Sequence, residues 1–258
     1  MTASDAVQPP QFQVPAPKAL EQAGENRYNV IMRSGIEGVA FDLDGTLYPN
    51  YSLNLRLIPF LFKELRLVAA FGRARNIIRE EQKNPSYQPG DFYQHQVDIT
   101  AKILAVPPQP IKEKIDLLIY KGWASMFKNI RLFKGAAETL TALRQAGFKM
   151  GLLSDFPPET KLEYLGISGI WDAVLCSERC GALKPHPLSF IQLAAAMALP
   201  SEKILYVGNS YPYDVAGANR LGMKTAWLKS ALLPKGRKKP APDFIFSNYR
   251  QLYDFMLN

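Results

Sequence analysis

The stretch IEGVAFDLDGTL, residues 36–47, decides the reading of the chain. Ile36 to Leu43 is apolar or small apart from Glu37 and Asp42, the pattern of a short strand buried on both faces. It stops at Asp44-Gly45-Thr46, a turn signal in which glycine lets the backbone reverse around a ligand. Asp42 and Asp44 stand two residues apart, so their carboxylates share a face if the strand continues. The chain thus opens its ordered part with a buried strand that ends in two acids.

Downstream, residues 52–133 read as helical with no convincing strand. The stretch SLNLRLIPFLFKELRLVAAFGRARNIIREEQ (52–82) should break at Pro59 and Gly72. The cluster of Pro85, Pro89 and Gly90 separates it from two further helices, around Tyr93–Leu104 and Ile111–Phe127. After Phe133-Lys134-Gly135 the rhythm alternates. Strands are expected at FKMGLLSD (148–155), DAVLCS (172–177), KILYVGNS (203–210), KTAWL (224–228) and DFIF (243–246), with helical segments between them and after the last. Such alternation specifies a parallel sheet covered by helices on both faces. The expected architecture is α/β, a Rossmann-like core of residues 34–50 and 135–258, with an α-helical cap, residues 51–134, inserted after the first strand. Residues 1–33, with Pro9, Pro10, Pro15 and Pro17, read as a flexible tail.

Composition narrows the function. Of 258 residues, 47% are hydrophobic and 21% charged, which excludes a disordered or collagen-like chain. Cys176 and Cys180 are too few for a disulfide framework and read as buried core. His95 and His186 are too few for a site built on several imidazoles; His186 reads as loop structure. No stretch has the roughly 18 apolar residues of a membrane span. The N-terminus lacks the basic start and apolar core of a signal peptide, so a cytoplasmic location is expected. The net charge is +8 and is concentrated in residues 51–134, where 14 basic residues face 7 acidic ones. That surplus attracts anions such as phosphorylated metabolites, although a solvated helical surface is the simpler reading. The basic run Lys235 to Lys239 reads as a solvated loop. No zinc spacing, RNA-stacking pattern or recognition-helix motif is present, so neither nucleic acid nor membrane is expected as a partner. The oligomeric state is not legible.

In open parallel sheets, ligands bind beyond the carboxyl ends of the strands. The polar residues there are Asp42 and Asp44 after the first strand, Ser154 and Asp155 after the second, Lys184 in the loop after the third, and Asn209, Ser210 and Asp214 after the fourth. Asp42, Asn209 and Asp214 offer oxygen donors of the kind Mg²⁺ prefers. Ser154 and Lys184 can hold an anionic oxygen. One carboxylate as nucleophile and another as acid and base suffice for phosphoryl transfer. Taken singly, an Asp-Gly is a turn, a Ser-Asp a helix cap and a Lys-Pro a loop. The argument lies in their joint occurrence, in order, at successive strand ends.

The ordered set resembles the haloacid dehalogenase-like hydrolases over about residues 36–257. The matching motifs are Asp42-Leu43-Asp44-Gly45-Thr46, Leu153-Ser154-Asp155, Leu183-Lys184-Pro185, and Gly208-Asn209-Ser210 through Asp214. The resemblance implies Asp42 as nucleophile and Asp44 as acid and base. It implies Ser154 and Lys184 as phosphate-binding residues, and Mg²⁺ on Asp42, the backbone of Asp44, Asn209 and Asp214. Asn209 departs from the family's usual acidic residue and implies weaker metal affinity, with Asp214 supplying the acidic role directly or through a water. Dehalogenases of this fold lack the second acid, so Asp44 favours a phosphatase acting on a small phosphorylated metabolite such as phosphoglycolate, a nucleotide or a sugar phosphate. A phosphomutase or phosphotransferase shares the acid pair. A non-catalytic anion-binding relative is the other alternative.

Overall fold

The computed structural model describes residues 35–122, 126–229 and 239–258, and of residues 51–63 and 126 only the backbone. The tail 1–33 and most of the basic run, Lys235 to Lys238, lie outside the described residues. Six parallel strands form one sheet: β1 (Gly38–Phe41), β2 (Lys149–Ser154), β3 (Ala173–Cys176), β4 (Ile204–Gly208), β5 (Lys224–Leu228) and β6 (Phe244–Phe246). Their order is β3-β2-β1-β4-β5-β6. The chain therefore builds outward from β1 on one side, then returns and builds outward on the other. Phe41 of β1 sits level with Leu152 of β2 and Val207 of β4. The residues following those three strands consequently emerge together at the crevice where the strand order reverses.

The apolar run of β1 is buried on both faces, as its pattern requires. Val39 and Phe41 point to one side, packing with Met150, Leu152, Leu205 and Val207. That side is covered by α4 (Ala136–Gln145), through Leu140 and Leu143, and by the last helix, α8 (Tyr249–Leu257), through Leu252 and Met256. Ala40, Leu153 and Tyr206 point to the other side, against Phe190 and Leu193 of α6 (Pro187–Ala196) and Ala218 of α7 (Ala216–Asn219). Small residues sit where a helix approaches closely: a β-carbon at Gly151 would collide with the Met197 side chain.

Between β1 and β2, the described residues form only helices: α1 (Asn50–Glu81), α2 (Phe92–Leu104), α3 (Pro108–Lys114) running on into a wider turn over Ile115–Gly122, and a short turn at Met126–Asn129. The expected break at Gly72 does not occur. α1 runs through it, and its one irregular residue is Glu64, five positions past Pro59. A single glycine inside a helix costs about 1 kcal/mol, which packing overrides. Leu67 and Phe71 of α1 close a core of their own with Val97, Ala101, Ile111 and Ile115. Ile78 and Phe92 pack against Leu183, tying the helices to the loop after β3. Arg66, Arg73, Lys102, Lys112 and Lys121 are exposed, so much of the basic surplus is a solvated surface, whereas Arg75 is buried and Arg79 half-buried. No described helix is long and apolar enough to cross a membrane.

Gly208 ends β4 where the chain must turn tightly. A β-carbon there would collide with the Asp214 side chain. Gly208→Ala should destabilise the fold by about 1–3 kcal/mol through overpacking, read as a lower midpoint in urea with unchanged slope.

Candidate active site

Of the polar residues singled out at the strand ends, Asp42, Asp44, Ser154, Lys184, Asn209 and Asp214 meet at the crevice. Asp42 directly follows β1, and its amide donates to the Val207 carbonyl at 2.9 Å, which fixes the side chain between β1 and β4. Lys184 reaches back from the loop after β3. Its Nζ donates to Asp42 Oδ1 at 2.6 Å and to Asp214 Oδ1 at 2.7 Å, with the Leu153 carbonyl and the Tyr206 hydroxyl both at 3.4 Å. Lysine, both aspartates and tyrosine are buried. Burial alone would depress the Lys184 ammonium, but Asp214 and Asp42 hold it well above its ordinary value. Asp42 is pushed up to about 7, first by burial and then by Asp214 and Asp44, against the pull of Lys184. Asp214 has both oxygens engaged, since Oδ2 accepts from the Ser210 amide at 2.8 Å.

Thr46 organises the opposite side of Asp42. Its hydroxyl donates to Asp42 Oδ2 at 2.7 Å and lies 3.3 Å from Asn209 Oδ1, while the Asn209 backbone amide donates to Thr46 Oγ1 at 3.0 Å. One carboxylate oxygen of Asp42 and the amide oxygen of Asn209 therefore converge.

Asp44 occupies a second niche. Its carboxylate accepts from Lys161 Nζ at 2.6 and 2.8 Å, from the Tyr48 hydroxyl, and from Ser154 Oγ at 3.4 Å. Lys161 comes from α5 (Glu159–Tyr164), and its ammonium faces the rings of Phe127 and Phe156 at 5.1 and 5.4 Å. Burial and Asp44 hold the Tyr48 hydroxyl far above its ordinary value, so it stays protonated and donates.

Asp155 faces the helical insertion. Arg79 of α1 donates through Nη2 to Asp155 Oδ2 at 2.7 Å and through Nε to the Lys184 carbonyl at 3.0 Å. The Lys184 amide donates to Asp155 Oδ1 at 3.2 Å. Burial raises the Asp155 carboxyl, but Lys184, Arg75 and Arg79 more than offset it and hold it below its ordinary value. Arg75 pairs with buried Glu178, bonds Gln96 at 3.1 Å and stacks 4.0 Å from the Phe156 ring centre. Tyr120 donates to Glu178 at 3.1 Å.

Sequence reasoning missed Lys161, Thr46 as an organiser, and the arginines of α1. Lys161 lies in a helix whose sequence carries no motif, and only the packing of α5 brings it to Asp44. Tyr48 is fully buried as a donor to Asp44. Both cysteines are buried and free, and His186 caps α6 by accepting from the Leu188 amide at 3.3 Å.

A family model of haloacid dehalogenase-like hydrolases matches residues 36–222, and the chain belongs to that family. It is 27% identical to a glyceraldehyde 3-phosphate phosphatase of Methanopyrus kandleri over 229 residues, 85% of this chain and 96% of that one. It is also 26% identical to haloacetate dehalogenase H-2 of Moraxella sp., over 81% of this chain and 92% of that one. The crystal structure of a phosphatase of this family from Thermococcus onnurineus superposes with a TM-score of 0.59 at 21% identity, covering 86% of this chain and 98% of that chain, a likeness of fold.

Removing the Lys184 charge leaves two buried carboxylates facing each other. Lys184→Met should cost about 3–5 kcal/mol in urea unfolding at neutral pH. Lys161→Met, at a partly solvated pair, should cost clearly less.

Proposed function

We propose that this chain is a Mg²⁺-dependent phosphatase that hydrolyses a small phosphate monoester through an aspartyl-phosphate on Asp42. The observation that carries this reading is the division of labour between the two acids. Asp42 is held by Lys184 and Thr46, while Asp44, two residues on, is held separately by Lys161, Tyr48 and Ser154. Relatives that share this fold include both a phosphatase and a dehalogenase, and the second acid is the feature that favours phosphate chemistry.

In this mechanism an Asp42 oxygen attacks phosphorus, and the bond from phosphorus to the leaving oxygen breaks. Asp44 gives that oxygen its proton, then takes one from the water that cleaves the aspartyl-phosphate. Ser154 and Lys184 hold the phosphoryl oxygens, with Lys184 offsetting their charge. The helical insertion, residues 51–134, acts as a cap that closes over the crevice and selects the leaving group. The substrate class is a small phosphorylated metabolite, in keeping with the glyceraldehyde 3-phosphate phosphatase relative. Phosphomutases share the acid pair, and product analysis with an added sugar acceptor separates the two.

The residues present fit Mg²⁺. Among the described residues no three His, Cys, Asp or Glu side chains form a metal cluster. The donors are a carboxylate, a carbonyl and an amide, all hard oxygens. Asp42 Oδ2 and Asn209 Oδ1 converge on Thr46, and the Asp44 carbonyl follows two residues after Asp42. Two lysines face three carboxylates, Asp42, Asp44 and Asp214, which leaves room for further positive charge. Asp214, occupied by Lys184 and Ser210, would serve the metal through a water. When bound, Mg²⁺ neutralises charge between the nucleophile and the phosphate and favours the ionised form of Asp42.

Turnover of p-nitrophenyl phosphate should require Mg²⁺, vanish with EDTA, and fall by about a thousandfold or more in Asp42→Asn. Asn209→Asp should lower the Mg²⁺ concentration needed for half-maximal rate. Turnover retained in Asp42→Asn would refute the assignment of the nucleophile.

A further inference from the structure

A cavity of about 660 Å³ opens beside the Lys184 loop, lined by Pro185, His186 and Pro187. None of the polar residues singled out at the strand ends lines it. Its size is that of a small-molecule site. One wall is the end of α1, with Arg79, Gln82 and Lys83; the second is the start of α6, with His186; the third carries Tyr213 and Arg220.

Three features of this cavity bear on what it would hold. Its lining is cationic: Arg79, Lys83 and Arg220 stand against Glu80 alone, which pairs with Lys83 on the exposed surface. Second, the ten-residue helix α6 begins at this wall with no acidic residue in its first turn, leaving the positive end of its dipole uncompensated. His186 Nδ1 accepts from Leu188, and burial holds the ring below its ordinary pKa. The neutral ring therefore carries its proton on Nε2 as a donor. Third, the wall offers an aromatic ring, since Tyr213 already carries the Arg79 guanidinium 4.4 Å from its centre.

Cations, a helix N-terminus and an aromatic ring describe a ligand with an anionic group and a planar ring.

We propose that this cavity is a second binding site, separate from the catalytic crevice, for a phosphorylated heteroaromatic molecule of nucleotide size. Arg220, Lys83 and the His186 wall take the phosphate, and the ring lies against Tyr213. Arg79 belongs to both sites, because the guanidinium that lines the cavity also bonds the Lys184 carbonyl and Asp155.

The test is calorimetric titration of AMP into the full chain carrying Asp42→Asn, so that turnover plays no part and the phosphatase reading is not assumed. The expected result is one AMP bound per chain, retained in saturating tungstate, a phosphate mimic that fills the catalytic crevice. Inorganic phosphate should bind more weakly than AMP. Arg220→Glu and Lys83→Glu, both at exposed positions, should each weaken AMP binding by about tenfold or more, the loss of a charge-assisted contact replaced by repulsion. No binding of AMP would overturn the proposal. Binding that tungstate abolishes and that neither substitution changes would also overturn it, because the nucleotide would then occupy the catalytic crevice.

Discussion

A single buried ammonium ion holds the carboxyl end of the sheet together. Lys184 Nζ lies between carboxylates that follow β1 and β4, while its own backbone belongs to the loop after β3. Neither acid nor lysine would tolerate that depth alone, since an unpaired buried charge costs several kcal/mol. Together they tie three strand ends to one point, and the close approach of Gly208 to Asp214 is part of the same constraint. The arrangement also raises Asp42 toward neutrality in its affinity for protons, because two neighbouring acids and burial outweigh one lysine. That residual imbalance is the physical reason the crevice suits a further cation.

The same loop connects the crevice to the helical insertion. The Lys184 carbonyl and Asp155 are both held by Arg79, and Arg75 is buried against Glu178 from the strand side. The insertion therefore meets the sheet through arginines that reach Asp155, Glu178 and the Lys184 carbonyl, as well as through the apolar contact of Ile78 and Phe92 with Leu183. Arginine suits this interface because its fixed fork can serve a carboxylate and a carbonyl at once. The position of the helices and the geometry of the Lys184 loop are thus mechanically joined.

Much of the fold was legible because its physics is local. Buried parallel strands read as short apolar runs, and every expected strand appears within one or two residues of its observed ends. Asp42, Asp44, Ser154 and Asn209 were legible because each stands at or just past a strand end, so strand prediction also places the side chain, whereas Lys184 and Asp214 lie further along the chain after β3 and β4. Gly72 misled because a glycine signals a break only when nothing else holds the helix, and Phe71 and Ala74 on either side of it are buried. Lys161 was illegible for a different reason. It lies six residues past Asp155 in a helix whose direction is set by packing, and no local pattern distinguishes it from the exposed lysines elsewhere.

The amino-acid order by itself determined the alternation of strands and helices, the helical insertion between the first two strands, and the four polar clusters at strand ends. These follow from periodicity, turn chemistry and the reach of a side chain from its own strand. Only the tertiary structure decided which cation serves which acid. Lys184 took Asp42 and Asp214, Lys161 took Asp44, and Arg79 took Asp155. Such pairings join residues 76 to 142 positions apart, apart from the 30 between Lys184 and Asp214. They depend on distances of a few ångströms at low dielectric, where a small displacement changes the energy by more than any sequence preference.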